Sequence, residues 1–259
     1  MDLYSAFPYL LTIAIIIISL CKPFHRKHHR SPAIKGRIGE RKVNRQLKKL
    51  KKRGYVILND VLLRRKDGNT TQIDHIAIGP TGVFVIETKN RRGRVEGDEN
   101  MRYWHIDGHP FYNPVYQNKG HIDALNEVID DPTIPFSSMV VFSNKADIDD
   151  VKKYGVYIAK EFLSEFYCQV GRVLSDKRIS EIADIINKAN DPTRKTRREH
   201  IRAVNSKARH ERRCQLIRIC PQCGGHMDIF RRDGHRYYSC PDCGYNSLLT
   251  QKKIYYPGK

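Results

Sequence analysis

Apolar and polar positions alternate along the chain with periods that predict both helices and strands. Val43, Leu47 and Leu50 recur at helical spacing within 36–53, and Gly54 is expected to end that helix. Apolar runs predict strands at 55–58, 61–63, 72–78, 83–88 and 138–142, and further helices are predicted at 113–130, 159–170 and 177–190. Mixed elements in this order predict an α/β fold.

The first segment differs from this pattern, because residues 3–21 carry no charge and are dominated by Leu and Ile. A helix of about 20 apolar residues crosses a bilayer, so this run predicts a transmembrane anchor. A cleaved secretory signal is less consistent with the sequence: the early charge is Asp2, and the basic residues follow the run. The positive-inside bias then predicts a single-pass protein of the inner (cytoplasmic) membrane, with its folded part in the cytoplasm.

The net charge and its distribution exclude some classes of protein and indicate possible binding surfaces. The 259 residues include 47 Lys+Arg and 28 Asp+Glu, a formal net charge of +19, with 40% hydrophobic residues and a mean hydropathy of −0.58. This composition excludes a polytopic membrane protein and a wholly disordered chain. Residues 22–53 contribute +13 and residues 191–213 contribute +6, which together equal +19. Such blocks predict a surface for phosphates or lipid headgroups, with a solvated face or a disordered linker as the alternative for both.

Candidate catalytic residues lie at the end of the predicted strand Val83–Lys89. Its apolar residues occupy both faces, so the strand should be central, and Glu87 and Lys89 should share one face. If 79–82 forms a four-residue loop, Asp74 lies opposite Glu87; a three-residue loop with a bulge at Gly82 would turn Asp74 away. Two carboxylates this close would repel unless a divalent cation lies between them.

Asp74 with the Glu-x-Lys sequence of Glu87 and Lys89 can support phosphodiester hydrolysis. The carboxylates would hold magnesium or manganese, and the lysine would orient the attacking water or stabilise charge on the phosphate. The spacing by itself also fits an ordinary surface ion pair at a strand end.

The motifs that surround these residues occur in a recognisable order: Gly39-Glu40, residues 72–76, residues 79–90, Gly93 and Trp104. This pattern resembles the nuclease-related domain, NERD, and is similar to the wider superfamily of PD-(D/E)xK nucleases, over residues 34–150. The resemblance implies a restriction-endonuclease-like mixed sheet flanked by helices, with metal carboxylates at Asp74 and Glu87 and a catalytic Lys89. It also implies supporting roles for Glu40 and Gln117. Ile73 precedes Asp74 where the superfamily often has proline.

Arg91, Arg92 and Arg94 follow Lys89 directly. They are candidates for contact with nucleic-acid phosphates, with a plain solvated turn as the equal alternative. Of the neighbouring residues, His75 and Trp104 are expected to be packed rather than functional.

The carboxy-terminal segment carries Cys220-x-x-Cys223 and Cys240-x-x-Cys243, with glycine after each second cysteine. This spacing predicts a structural four-thiolate zinc site, which would supply much of the folding free energy of so short a segment. The segment resembles the zinc ribbons of bacterial type IA topoisomerases, and that resemblance implies a contact surface for single-stranded DNA formed by Arg231, Arg232, Arg236, Tyr237 and Tyr238. A purely structural or protein-docking ribbon is the alternative.

These inferences predict five segments: a transmembrane anchor (1–21), a basic juxtamembrane segment (22–35), a NERD nuclease-like domain (36–190), a basic helical linker (191–215) and a zinc ribbon (216–259). The leading hypothesis is a membrane-anchored, metal-dependent nuclease acting on DNA in preference to RNA, with no small-molecule cofactor. The alternatives are a catalytically inactive nucleic-acid tether and a membrane-surface scaffold. The sequence does not determine the oligomeric state.

Overall fold

The computed structural model describes residues 32–99, 101–232 and 235–248. The chain divides into two units, Met1–Ile34 and Lys35–Lys259, and the described strands all belong to the second unit. The predicted anchor and nearly all of the juxtamembrane segment lie outside the described residues. Across those described ranges, no helix has the length and apolar character needed to cross a bilayer.

The described residues form α-helices, strands and two short 3₁₀ segments. The helices are α1 (Pro32–Leu47), α2 (Pro114–Ile129), α3 (Leu163–Cys168), α4 (Asp176–Ala189) and α5 (Arg194–Leu216). The first nine strands are β1 (Val56–Arg64), β2 (Thr70–Gly79), β3 (Gly82–Lys89), β4 (Gly93–Glu96), β5 (Tyr103–Ile106), β6 (His109–Tyr112), β7 (Phe136–Phe142), β8 (Ala146–Asp147) and β9 (Val156–Ile158). Three more come after them: β10 (Asp228–Arg232), β11 (His235–Ser239) and β12 (Asn246–Leu248). The 3₁₀ segments are Lys48–Arg53 and Lys152–Tyr154.

A five-stranded mixed sheet in the order β1-β2-β3-β7-β9 forms the centre of the fold. The first three strands are antiparallel, whereas β7 runs parallel to β3 and β9 runs parallel to β7. The parallel step from β3 to β7 requires a crossover, and α2 lies in that connection. The predicted α/β class is therefore confirmed, as a mixed sheet with helices.

The turn between β2 and β3 fixes the register of the strands that carry the candidate carboxylates. Gly79 pairs with Gly82, and Ile78 pairs with Val83. Gly82 has φ 131°, and a Cβ at this position would lie 2.6 Å from the carbonyl oxygen of Pro135, so a side chain has no room. This is the register of the four-residue loop.

The alternation of side chains between the two faces of the sheet is interrupted at one position in β1 and β2. Asp60 has φ 56°, a left-handed conformation inside β1, and it lies between the paired positions Asn59–His75 and Val61–Ile73. On β2, Ile73 and Ile76 enter the same core although strict alternation would place them on opposite faces. The interruption is level with Asp74, which is absent from the paired positions of the β2–β3 ladder.

Both faces of the sheet are covered, which explains why nearly all of β3 is buried. On one face, Val83 and Val85 join a core with α2 and α4 through Leu125 and Ile182. On the other face, the core combines the following residues of α1, β3 and the α3 segment: Val43, Leu47, Phe84, Ile86, Phe162 and Phe166. Full burial of each such side chain contributes roughly 1.5–3 kcal/mol, so the position of β3 is strongly fixed.

A second sheet, with the order β6-β5-β4-β8, lies beside the end of β7. Its centre is Trp104, which is fully buried and donates its indole N–H to the carbonyl of Asp98 at 2.9 Å. Packing is therefore the role of this tryptophan, as predicted. The sheet itself was not predicted, because its strands have four residues or fewer.

Helix α5 covers most of the segment predicted as a linker, and it is docked at both ends. At its amino-terminal end, Arg197 forms two hydrogen bonds with Asp60, at 3.1 and 2.7 Å. Near its carboxy-terminal end, Glu211 pairs with Arg102 at 3.3 Å and accepts a hydrogen bond from the Tyr103 hydroxyl. Within the second unit, this helix is a structural part of the fold.

The final strands β10-β11-β12 form a small antiparallel sheet. Its core contains two cysteines together with Met227, Tyr238 and Tyr245, and Tyr103 of β5 packs against it. Arg102 also lies over the Tyr245 ring, 5.2 Å from the centroid. The small sheet is thus docked on the β5–β6 hairpin.

Candidate functional site

The candidate active site lies at the end of β3, where a buried strand delivers two charged side chains to one place. The Lys89 ammonium donates to Glu87 Oε1 at 2.7 Å and to Gln117 Oε1 at 2.9 Å. The Glu87 side chain is only 4% exposed, and that of Lys89 is 18% exposed. Gln117 comes from the first turns of α2, which Asn113 caps by accepting the amide N–H of Val115 at 2.9 Å.

Asp74 approaches the same place from β2. Its Oδ2 accepts the backbone N–H of Thr88 at 2.8 Å. Burial raises its pKa well above the ordinary value, and repulsion from Glu87 raises it further. The pKa of Glu40 on α1 is also raised, by burial, by Asp60 and by Glu87. Asp74, Glu87 and Glu40 therefore act on one another electrostatically, with Lys89 and Gln117 beside them.

His121 is a member of this cluster that the sequence patterns did not indicate. Its Nε2 lies 3.4 Å from Glu87 Oε2, and its Nδ1 is hydrogen-bonded to the Thr71 hydroxyl at 2.8 Å. Gln117 and His121 are four residues apart on α2, so they project from the same helix face. That spacing was visible in the sequence, but its relation to β3 depends on how α2 packs.

The charge state of Glu87 is determined by these contacts. Burial would raise its pKa, but the Lys89 ammonium and the His121 ring outweigh burial and lower the pKa from 4.5 to about 2. Glu87 is therefore ionised at neutral pH, whereas Asp74 resists ionisation. Carboxylates whose pKa values diverge in this way are typical of functional sites.

The donor set fits a hard divalent cation. Glu87 Oε2 is buried and has no hydrogen bond of acceptable geometry, although His121 lies nearby. A cation would neutralise the repulsion between Asp74 and Glu87 and use this oxygen. The carboxylates are not gathered as tightly as the cysteines: within the described ranges, only the cysteine group brings three or more ligand atoms within 4.8 Å of one another.

The three arginines after Lys89 have different surroundings. Arg94 is held by Asp150 through two hydrogen bonds, at 3.1 and 3.0 Å, so its charge is already partly compensated. The Arg91 guanidinium lies 4.9 Å from the centroid of the Phe111 ring. Arg92 is exposed and forms no ion pair with any described residue. Of the three arginines, Arg94 is the least available to another partner, and contact of Arg91 and Arg92 with phosphate stays a prediction.

The four cysteines converge as a metal site. Cys220 Sγ lies 3.6 Å from Cys243 Sγ, and Cys223 Sγ lies 3.4 Å from Cys240 Sγ. Four sulfurs at about 2.3 Å from a tetrahedral zinc ion would be about 3.8 Å apart, close to these distances. The cluster fits a zinc ribbon, and its closed set of thiolates leaves no open position for catalysis.

The predicted nucleic-acid surface of the ribbon needs one correction. Tyr238 is only 4% exposed and packs in the ribbon core, so it does not belong to an exposed contact surface. Tyr237 is half-buried, stacked on Phe230 and in edge contact with His105. Arg231 and Arg236 are exposed and lie opposite each other on β10 and β11, whereas the side chain of Arg232 lies outside the described residues.

His75 is packed in the interior, as predicted. It is buried, and its Nδ1 is hydrogen-bonded to Asn59 Oδ1 at 2.7 Å. Burial lowers its pKa to about 4, so the ring is neutral at physiological pH.

A mixed sheet whose buried third strand ends in Glu-x-Lys, beside an aspartate on the neighbouring strand, is consistent with a nuclease-like domain. The family model of the nuclease-related domain, NERD, matches residues 35–143. The chain is similar to an uncharacterized protein of Bacillus anthracis, with 32% identity over 211 residues that cover 76% of this chain and 97% of the relative. The chain belongs to the nuclease-related domain family. No solved structure matches it significantly.

Proposed function

We propose that this protein is a divalent-metal-dependent nuclease that hydrolyses phosphodiester bonds in DNA. One observation carries the proposal: the Lys89 ammonium is held between Glu87 and Gln117, beside a second carboxylate, Asp74, whose pKa is raised. Membership of the nuclease-related domain family supports the same chemistry.

Lys89 has the most direct role in this proposal. An ammonium carries three N–H donors, and Glu87 and Gln117 accept two of them within the described part of the chain. The third donor is available to a phosphate oxygen or to the attacking water, where it would stabilise the charge that develops. Gln117 is a positioning residue, because it accepts a second hydrogen bond from the ammonium at 2.9 Å.

The carboxylates would hold the metal. Glu87 and Asp74 are the proposed ligands, with Glu40 as a third acidic group at the same place. A bound magnesium or manganese ion would lower the pKa of a water molecule and offset charge on the scissile phosphate.

Lys89→Ala tests the catalytic part of the proposal. Labelled single-stranded, duplex and branched DNA are incubated with the purified protein and magnesium or manganese, and matched RNA substrates test the preference for DNA. We expect Lys89→Ala to abolish cleavage while DNA affinity changes little. Lys177→Ala is the matched control, because Lys177 is an exposed lysine on α4 with one weak ion pair at 3.9 Å. Cleavage by Lys89→Ala at the wild-type rate would remove the lysine from the mechanism.

A non-catalytic nucleic-acid tether is the second candidate, and one contact favours it. Lys89 and Glu87 already neutralise each other at 2.7 Å, an arrangement that is stable without substrate. A tether would bind DNA with the same salt dependence but would release no product at any metal concentration. Turnover therefore separates the two candidates.

We also propose that residues 3–21 anchor the protein in the cytoplasmic membrane. The support is the uncharged apolar sequence followed by basic residues. Fractionation of cells that express the full chain and a variant lacking residues 2–21 tests this. Recovery of the full chain in the soluble fraction would contradict the anchor.

A further inference from the structure

Helix α5 separates its charges in a way that the nuclease site does not explain. Its two acidic residues, Glu199 and Glu211, are both engaged with the rest of the fold: Glu199 with Arg64 at 3.0 Å, and Glu211 with Arg102 and Tyr103. Most of its basic residues point elsewhere. The acids anchor the helix, and the remaining positive charge is left on the outside.

The docked face of α5 is well defined. Thr196 and Cys214 are buried on this face, and His200 Nδ1 is hydrogen-bonded to the Thr70 hydroxyl at 3.0 Å. Lys207 lies 5.7 Å from the centroid of the Tyr112 ring. At about 100° per residue, these positions cluster on one side of the helix.

The opposite side of α5 carries a stripe of basic residues. Seven of them fall within an arc of about 100°, centred about 180° from the docked face. They are Arg194, Lys195, Arg198, Arg202, Arg209, Arg212 and Arg213, which we name the α5 basic stripe. All seven are exposed, and none forms an ion pair with another described residue.

Such a stripe is unfavourable in the isolated protein. Lys195 and Arg198 are three residues apart, Arg198 and Arg202 are four apart, and Arg209 is followed at four by Arg213. Like charges at these spacings repel and destabilise a helix. The helix nevertheless forms, because its other face is fixed to the fold. A polyanion on the stripe would relieve this repulsion.

The chemistry of the stripe favours nucleic acid over a lipid surface. Interfacial helices insert an apolar face opposite their basic face. In α5 the face opposite the stripe is docked on the fold at Thr196, His200 and Cys214. Between these contacts the helix exposes two large apolar residues, Ile201 and Val204, and not a continuous apolar face. Arginine dominates the stripe, and the guanidinium group pairs with phosphate through two parallel hydrogen bonds.

We propose that the α5 basic stripe binds the phosphate backbone of duplex DNA, as an accessory surface on the side of α5 that faces away from the nuclease domain. From Lys195 to Arg213 the stripe extends about 27 Å at 1.5 Å per residue, which matches about eight base pairs at 3.4 Å each. The proposal rests on the nucleic-acid part of the proposed function but not on hydrolysis. The stripe would hold the substrate near the protein whether or not cleavage occurs.

The test measures the salt dependence of DNA binding by the full chain. A fluorescent 30-base-pair duplex is titrated by anisotropy at several KCl concentrations, without added divalent cation. In the triple variant R198E/R202E/R209E, the slope of log affinity against log salt should decrease in magnitude by about 2.7, as expected for three lost phosphate contacts. Affinity at physiological salt should fall at least tenfold.

A matched control changes the same net charge elsewhere. Lys160, Lys177 and Lys188 are exposed and lie outside both basic segments, and K160E/K177E/K188E should alter the slope much less. Circular dichroism checks that both triple variants remain folded. An unchanged slope in the α5 variant, or an equal change in the control, overturns the proposal. Loss of binding to phosphatidylserine vesicles with an unchanged DNA slope would also overturn it, since the stripe would then bind lipid.

Failure of this proposal and failure of the proposed function are distinguishable. If the wild-type protein cleaves no DNA while the α5 variant shows the expected decrease in the salt dependence of DNA binding, that result would support the accessory surface and contradict the proposed nuclease activity. If Lys89→Ala abolishes cleavage but the α5 variant binds DNA with an unchanged salt dependence, the nuclease is supported and the accessory surface is contradicted.

Discussion

Removing the Lys89 ammonium should destabilise the metal-free protein, because it leaves the Glu87 carboxylate without its main partner. Glu87 is 4% exposed, and its other neighbour, His121, is 3.4 Å away without good hydrogen-bond geometry. Lys89→Met is the appropriate change, since Met keeps most of the length of the side chain and loses only the charge. We therefore expect a large effect on stability from a residue proposed to act in catalysis.

The magnitude can be worked out from the pKa of Glu87. Burial tends to raise it, but Lys89 and His121 together lower it from 4.5 to about 2. That difference corresponds to about 3 kcal/mol of stability at neutral pH. Loss of one partner of a buried pair is similarly costly, at about 3–5 kcal/mol. We expect Lys89→Met to lower the free energy of unfolding by about 3 kcal/mol at pH 7.

The assay is urea unfolding of the wild type, Lys89→Met, Glu87→Gln and the double variant, followed by circular dichroism. In the double variant no unpaired charge remains, so its loss of stability should be smaller than the sum of the two single losses. The sign of the pH dependence is fixed as well. Because the pKa of Glu87 is lowered by folding, its contribution is fully present above about pH 4.5 and is lost as the pH falls towards 2.

Two results would refute this reasoning. One is a loss below about 1 kcal/mol for Lys89→Met at pH 7, which is the range of an exposed ion pair. The other is strict additivity of the two single variants, which would mean that the side chains do not interact energetically. Either result would also weaken the proposed geometry of the site.

Three further predictions concern other parts of the molecule. Folding raises the pKa of Asp74, so the ionised carboxylate lowers the stability of the folded protein above pH 3.8. Asp74→Asn should therefore raise the melting temperature of the metal-free protein at pH 7, and the difference from the wild type should vanish in acid. Gly82→Ala should lower the free energy of unfolding by roughly 2 kcal/mol or more in a denaturant titration, because its Cβ would lie 2.6 Å from the Pro135 carbonyl oxygen. Gly120→Ala is the contrasting control: it lies on a helix with open space around it and should raise the free energy of unfolding by up to about 1 kcal/mol. Cys243→Ser should abolish zinc binding measured by atomic emission and melt the ribbon, seen as a loss of near-ultraviolet tyrosine dichroism.

The sequence limited the register of the β2–β3 hairpin to two alternatives, a four-residue loop or a three-residue loop with a bulge, and the structure has the register of the four-residue loop. Gly79 and Gly82 bracket a turn in which only one loop length places Asp74 level with Glu87. The central position of β3 was equally visible, since apolar residues on both faces require cover on both faces. These features depend on near neighbours in the sequence.

The parts that could not be predicted depend on distant contacts. The approach of His121 to Glu87 requires α2 to cross over the end of β3, which no local pattern specifies. The left-handed Asp60 inside β1 and the burial of Tyr238 likewise result from tertiary packing. The strands of the second sheet are too short to leave a periodic signal, and the docking of α5 depends on contacts with residues far away in the sequence.

The docking of the ribbon on Tyr103 has a consequence for the protein in a living cell. Tyr103 packs against the cysteine core and also donates its hydroxyl to Glu211, so one side chain joins the ribbon, the second sheet and α5. In a cell starved of zinc, we expect the ribbon to unravel and to leave this tyrosine and the end of α5 open to proteases. The lifetime of the protein would then depend on the supply of a trace nutrient.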